Sequence, residues 1–218
     1  MKSILVIGMG RFGSNLAYKL LELKNEVVIV DSNAALVEEM ASDFVDAHIG
    51  DCTSLAMLST IGVNNFDVCF VCVGENFQSS LEITSNLKDL GAKRIVSKAN
   101  KDIQAKFLLK IGADEVVYPE KQMAEKTAIR FSTSKNILDF IALTPDYAIY
   151  EIPVNGSWVG RSIAQVDIRR KYNINVLAIK NDNHIIPVPN ADYVFSNNDI
   201  LVVFGKSADV IKLTQKNW

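Results

Sequence analysis

The stretch Ile4-Leu5-Val6-Ile7-Gly8-Met9-Gly10-Arg11-Phe12-Gly13 decides how this chain folds. Four consecutive apolar residues, three of them β-branched, read as a buried strand. Glycines follow at Gly8, Gly10 and Gly13, and then Phe12, Leu16, Leu20 and Leu23 recur at helical spacing. A strand, a glycine-rich turn and an amphipathic helix, in that order, let the backbone approach a pyrophosphate and aim a helix N-terminus at it. The next apolar run, residues 26–30, ends on Asp31, where a carboxylate is placed to hold ribose hydroxyls. No arginine or lysine follows Asp31 to pair with a 2′-phosphate, which disfavours a phosphorylated dinucleotide.

Outward from this turn, the same alternation continues. Short strand-like runs fall at residues 47–49, 68–73, 94–97 and 115–118, separated by stretches of helical period such as Leu81, Leu87 and Leu90. Gly62, Gly91 and Gly112 follow helical runs, where a left-handed cap is wanted. Strands joined by helical crossovers predict a Rossmann-like, doubly wound parallel α/β sheet over residues 1–118.

From Pro119 a helix is expected to about Ser132. A polar break, Ser132-Thr133-Ser134-Lys135-Asn136, precedes a very apolar stretch, Ile137, Leu138, Phe140, Ile141 and Leu143, read as a second helix. This 119–144 segment needs cover, either from the chain's own sheet or by crossing to a second subunit. After Pro145 and Asp146, residues 145–218 read as a small α+β C-terminal domain. Strands are expected at 149–154, 176–180 and 200–204, and helices at 163–171 and 208–213. About 70 residues make a small free-standing core, so association of this module is expected.

Composition narrows the function. The 218 residues are 49% apolar and 22% charged with a net charge of −2, so a real core can form. No basic cluster offers a nucleic-acid footprint. The opening Met1-Lys2-Ser3 runs straight into a strand, which reads as no targeting signal. No apolar run reaches the roughly 18–20 residues that span a bilayer, and the expectation is a soluble, cytoplasmic protein. Three cysteines carry no disulfide signature. Cys69 and Cys72 form a C-x-x-C, but inside a strand they point to opposite faces and read as small buried hydrophobes.

Each further candidate has two readings. Arg11, inside the turn, offers a guanidinium fork to phosphate oxygens or is a solvated charge. Asp31 could otherwise cap the next helix, since Ser32 and Asn33 also invite a helix start, and both roles can coexist. Asp51, after Gly50 at a strand's carboxyl end, could accept from an adenine amino group or cap a helix, and Gly74 is a close-approach position with the same ambiguity. Glu120, after Pro119, suits a helix dipole; facing phosphates, it would need a divalent cation between them. His48 reads as core and His184 as a residue of a hairpin-like turn. No general acid–base pair or activated nucleophile can be assembled, so the chain reads as a sensor rather than an enzyme. An NAD-dependent oxidoreductase is the alternative.

Taken together, Gly8-x-Gly10-Arg11-Phe12-Gly13, Asp31, Gly50-Asp51-x-Thr53, Gly112-Ala113-Asp114 and Pro119-Glu120 resemble the regulator-of-potassium-conductance (RCK, or KTN) domain. Gly160-x-Ser162-Ile163, Val176-Leu177-Ala178-Ile179, Pro187 and Asp199-x-Leu201-x-Val203-x-Gly205 resemble its C-terminal subdomain. Two such modules without a membrane segment resemble the cytosolic subunit of Ktr/Trk-type potassium uptake systems. The resemblance implies crossover-helix dimers, an octameric ring and a membrane potassium-translocating partner. It implies ATP and ADP as opposing ligands, with NAD(H) binding among relatives, and Arg11 reaching phosphate across the dimer. Asp31 would hold ribose and Asp51 adenine, with Phe12, Cys52 and Gly74 beside them. Glu120 would help bind Mg2+ or Ca2+. Cys52 stands where a small residue such as alanine is common. Asp167, Arg169, Asn175, His184 and Pro187 resemble a cyclic di-AMP pocket at the C-terminal dimer interface.

Overall fold

A computed structural model describes residues 1–74, 76–132, 136–181 and 184–215. The chain divides into two compact units, Met1–Met123 and Ala124–Trp218.

In the first unit the elements alternate: β1 (Ser3–Ile7), α1 (Arg11–Glu22), β2 (Glu26–Asp31), α2 (Ala34–Met40), β3 (Asp46–Ile49), α3 (Leu55–Ile61), β4 (Val68–Val71), α4 (Phe77–Asp89), β5 (Ile95–Lys98), α5 (Asp102–Ile111) and β6 (Glu115–Val117). The strands lie in the order β3-β2-β1-β4-β5-β6, and every neighbouring pair is parallel. This is the doubly wound sheet the alternation predicts. Its strand order reverses between β1 and β4, and ligands of such sheets sit at that switch point, beyond the carboxyl ends of the strands.

Period-two alternation splits the core. Leu5, Ile7, Val28 and Val30 pack with Leu58, Leu87 and Leu108 on one face, while Ile4, Val6, Val27 and Ile29 pack with Ala17 and Met40 on the other. Cys69 falls in the first cluster and Cys72 in the second, so the two thiols stand on opposite faces as the strand reading requires. His48 departs from expectation. It lies on β3 at the sheet's edge, half-buried, with Nε2 3.0 Å from Asp46 Oδ2 rather than in the core.

The helix α6 (Pro119–Ser132) follows, and the boundary between the units falls within it. The second unit contains β7 (Asp139–Ala142), β8 (Tyr147–Pro153), α7 (Ile163–Val166), α8 (Ile168–Tyr172), β9 (Asn175–Asn181), β10 (His184–Pro187), β11 (Ile200–Lys206) and α9 (Ser207–Gln215). Its sheet is antiparallel, in the order β10-β9-β11-β8-β7.

The second apolar helix expected in 119–144 is not formed. Its residues make β7, with Phe140 opposite Tyr150 and their rings 6.0 Å apart. A short apolar run fits helix and strand equally, and the open edge of β8 decided it. That edge supplies hydrogen-bond partners such as Glu151 O for Leu138 N–H at 2.8 Å. The polar break before it, residues 133–135, lies outside the described residues. The helix expected over 163–171 is broken in two, because Asp167 turns left-handed at φ 53° between α7 and α8. Asp199, 1% exposed, knits the unit together: its carboxylate accepts from Asn181 Nδ2, the Tyr193 hydroxyl and Ser196 N–H at 2.9, 3.0 and 2.8 Å.

Candidate functional site

The glycine turn is built by two steric requirements. Gly8 has φ +96°, a conformation that side chains resist, and a Cβ there would stand 3.1 Å from Val73 N. A Cβ on Gly13 would fall 1.9 Å from Gly8 O, so the first turn of α1 can press onto the end of β1 only without one. Gly10 differs. It is the N-cap of α1 at φ −66°, and a Cβ there meets nothing within 4 Å. The fold therefore does not require glycine at residue 10.

Asp31 closes the turn from the neighbouring strand. Its Oδ2 accepts from Met9 N–H at 2.6 Å and its Oδ1 from Asn33 N–H at 2.8 Å. Asn33, not Asp31, caps α2, by accepting from Ala35 N–H. Asp51 likewise folds a turn before α3 rather than capping it: Oδ1 accepts from both the N–H and the hydroxyl of Thr53, at 2.9 and 2.8 Å. The Thr53 N–H is the chief cause holding the Asp51 carboxyl below the usual range.

These elements frame a cleft in two adjoining lobes. One, of about 310 Å³, is lined by Gly50, Asp51, Cys52, Asn76 and Ser79. The other, of about 450 Å³, is lined by Gly10, Arg11, Phe12, Lys98, Asn100 and Glu120. Gly8, Asp31, Ser32 and Val73 belong to both, so the lobes are continuous around the carboxylate of Asp31. Gly74 borders the second lobe, and its carbonyl accepts from Asn100 Nδ2 at 2.8 Å. Of the residues that the sequence proposed for the nucleotide, the cleft joins all except Gly13, which lies buried beneath the turn. Cys52 is 4% exposed, and burial, reinforced by Asp51 and Asp31, pushes its thiol up to about 12. It is a wall, not a nucleophile.

Sequence reasoning missed Lys98. Its ammonium lies 2.6 Å from Glu120 Oε1, and this pairing is the main cause holding the Glu120 carboxyl below the usual range. The signal was available: β5 runs one residue further than the expected 94–97, and the carboxyl end of a strand is the ligand-facing edge of such a sheet. Asn76 and Ser79 were also missed. Asn76 caps α4 by accepting from Ser79 N–H at 3.2 Å, bringing a second helix N-terminus to the cleft.

In the second unit the residues likened to a cyclic di-AMP pocket are spread out. Asp167 and Arg169 lie at α8, Asn175 opens β9, and His184 and Pro187 are exposed on β10. His184 pairs with Asn181 and so stands six residues from Asn175 along the ladder, roughly 20 Å at the antiparallel rise. His184 is therefore a strand residue, and one chain alone does not gather this set.

A parallel doubly wound sheet with a glycine turn, the Asp31 carboxylate closing that turn and a two-lobed cleft at the switch point define a Rossmann-like domain, here followed by a small antiparallel module. Residues 4–119 match the TrkA-N domain and residues 147–216 the TrkA-C domain. The chain is 39% identical to Ktr system potassium uptake protein C of Bacillus subtilis (strain 168), over 99% of this chain and 97% of that one. It is 35% identical to Ktr system potassium uptake protein A of the same organism, over 96% and 94%. The GsuK RCK domain has the same fold, at a TM-score of 0.69 and 18% identity, covering 99% of this chain and 47% of that one. The chain belongs to the Ktr system potassium uptake protein family, built from a TrkA-N and a TrkA-C domain.

Proposed function

We propose that this chain is the nucleotide-sensing, cytoplasmic regulatory subunit of a potassium uptake system, switched by ATP against ADP. The observation that carries the reading is the cleft itself. A lobe of the size and polarity for base and sugar runs past Asp31 into a lobe where Arg11, Lys98 and the N-terminus of α1 concentrate positive charge. Family membership supports potassium uptake as the output. Among the described residues no helix is long and apolar enough to cross a membrane; the reading assigns translocation to a membrane partner.

The reading assigns Arg11 and the Gly8–Gly13 turn to the phosphates, Asp31 to the ribose and Asp51 to the adenine. NAD(H) suits the same turn and acid. Among the described residues no three His, Cys, Asp or Glu side chains gather to hold a metal. Glu120 fits Mg2+ or Ca2+ only as one carboxylate in a shell completed by phosphate oxygens and water, the usual manner for Mg2+ beside nucleotides. Dimers formed through the 119–144 segment and assembled into an octameric ring would carry the signal. Cyclic di-AMP would act between two C-terminal domains, which suits the separation of Asn175 from His184 in one chain.

A ligand moves such an equilibrium only by its differential affinity for the two states. Calorimetric affinities for ATP and ADP, with light scattering in each, test the reading. Different affinities and a ring whose shape depends on the nucleotide are expected; equal affinities with an invariant monomer overturn it. Arg11→Ala should weaken ATP more than ADP, and the reverse ranking removes Arg11 from the phosphates. Absorbance change in the nicotinamide band with a substrate panel would favour an oxidoreductase instead.

A further inference from the structure

Lys98 carries a full charge on a side chain only 12% exposed. Its end lies along residue 74, where a Cβ would stand 3.1 Å from Nζ, 3.2 Å from Cε and 3.4 Å from Cδ, so Gly74 leaves the lysine its channel. The Phe12 ring lies 6.0 Å from Nζ, within cation–π reach. A cation sheathed in this way must be paired, and its partner is Glu120, whose side chain is 65% exposed. The asymmetry matters. The fold holds the lysine in place, whereas water can draw the glutamate away.

Both groups line the lobe that contains Gly10 and Arg11. A phosphate entering that lobe meets an ammonium whose protein partner is a loosely held carboxylate. We propose that Lys98 is a phosphate ligand that exchanges partners, leaving Glu120 for the terminal phosphate of a triphosphate, and that this exchange frees Glu120 for a divalent cation. A triphosphate together with the freed carboxylate exceeds the charge of Arg11 and Lys98, which draws the cation in. A diphosphate lacks the terminal group and leaves the Lys98–Glu120 pair closed. The proposal rests on the nucleotide reading above and deepens it, by naming the residue through which phosphate number and cation binding are coupled.

The test is calorimetric titration of ATP and of ADP into the full chain, in EDTA and in Mg2+, for wild type, Lys98→Met, Lys98→Arg and Glu120→Gln. In EDTA, Lys98→Met should lose about tenfold or more in ATP affinity, the worth of one charge-assisted hydrogen bond, with a much smaller loss for ADP. Lys98→Arg should recover most of the ATP affinity. Glu120→Gln, which removes the competitor, should bind ATP more tightly in EDTA and lose the gain that Mg2+ gives wild type. Lys98→Met within about twofold of wild type for ATP, or equal losses for ATP and ADP, overturns the exchange. Should Lys98→Met fail to fold, Glu120→Gln decides, and unchanged ATP affinity in EDTA overturns it. Wild type binding neither nucleotide ends the nucleotide reading itself, whereas wild type binding with all variants unchanged ends only the exchange.

Discussion

Two glycines of one turn should respond in opposite ways to the same methyl group. At residue 13 a Cβ falls 1.9 Å from Gly8 O, and real Cβ atoms essentially never come within 3.0 Å of such a neighbour. Gly13→Ala must therefore push the first turn of α1 off the end of β1 by about 1 Å, in an interior too densely packed to yield freely. Overpacking of this kind costs about 3 kcal/mol, which lowers the melting temperature by roughly 6–12 °C at this chain length. At residue 10 the backbone is at φ −66° and a Cβ meets nothing within 4 Å. Gly10→Ala should change stability by no more than about 1 kcal/mol, since alanine's smaller loss of freedom on folding offsets its weaker N-cap preference. Its cost should appear in ligand affinity, because the methyl occupies the approach to the helix N-terminus; a loss of at least about tenfold is expected. Far-UV circular dichroism melts and nucleotide titrations on both variants give the four numbers needed. If Gly10→Ala melts as low as Gly13→Ala, the steric account is wrong. If Gly10→Ala binds nucleotide like wild type, the open space at residue 10 is not where the phosphates approach.

Asp199→Ala removes a buried acceptor from Asn181, Tyr193 and Ser196 and should destabilise the second unit by about 3 kcal/mol; buried Trp158 reports it by fluorescence, and a melt unchanged within error would show the network to be dispensable. Burial pushes the Cys52, Cys69 and Cys72 thiols up to about 12, so a thiol reagent at pH 8 should label all three in denaturant and almost none in the native protein; rapid native labelling would contradict their burial. The Glu120 and Asp51 carboxyls are held below their ordinary values of 4.5 and 3.8, chiefly by Lys98 and by the Thr53 N–H. A depressed folded-state value means that each pairing stabilises the fold above the ordinary value and ceases to do so as the pH falls through the depressed one. Carboxyl NMR titration should find Glu120 below 4.5 in wild type and back near 4.5 in Lys98→Met; an unchanged midpoint in the variant would show that Lys98 is not the cause.

Local pattern alone specifies the parallel sheet, the glycine turn and most of the cleft. Those features rest on local periodicity and on residues a few positions apart, such as Gly8, Gly10 and Gly13, and a strand's carboxyl end is ligand-facing whatever lies beside it. Features that depend on a neighbour distant in sequence emerge only in the folded chain. Ile137 to Leu143 could have been helix or strand until the edge of β8 offered its hydrogen bonds. Asp31 could have capped its own helix until Met9, 22 residues earlier, presented its N–H. Lys98 and Glu120, 22 residues apart, meet because β5 and β6 run parallel and α6 begins where β6 ends. An ion pair of that kind has no period and no motif, so a sequence cannot display it until its strands are laid side by side.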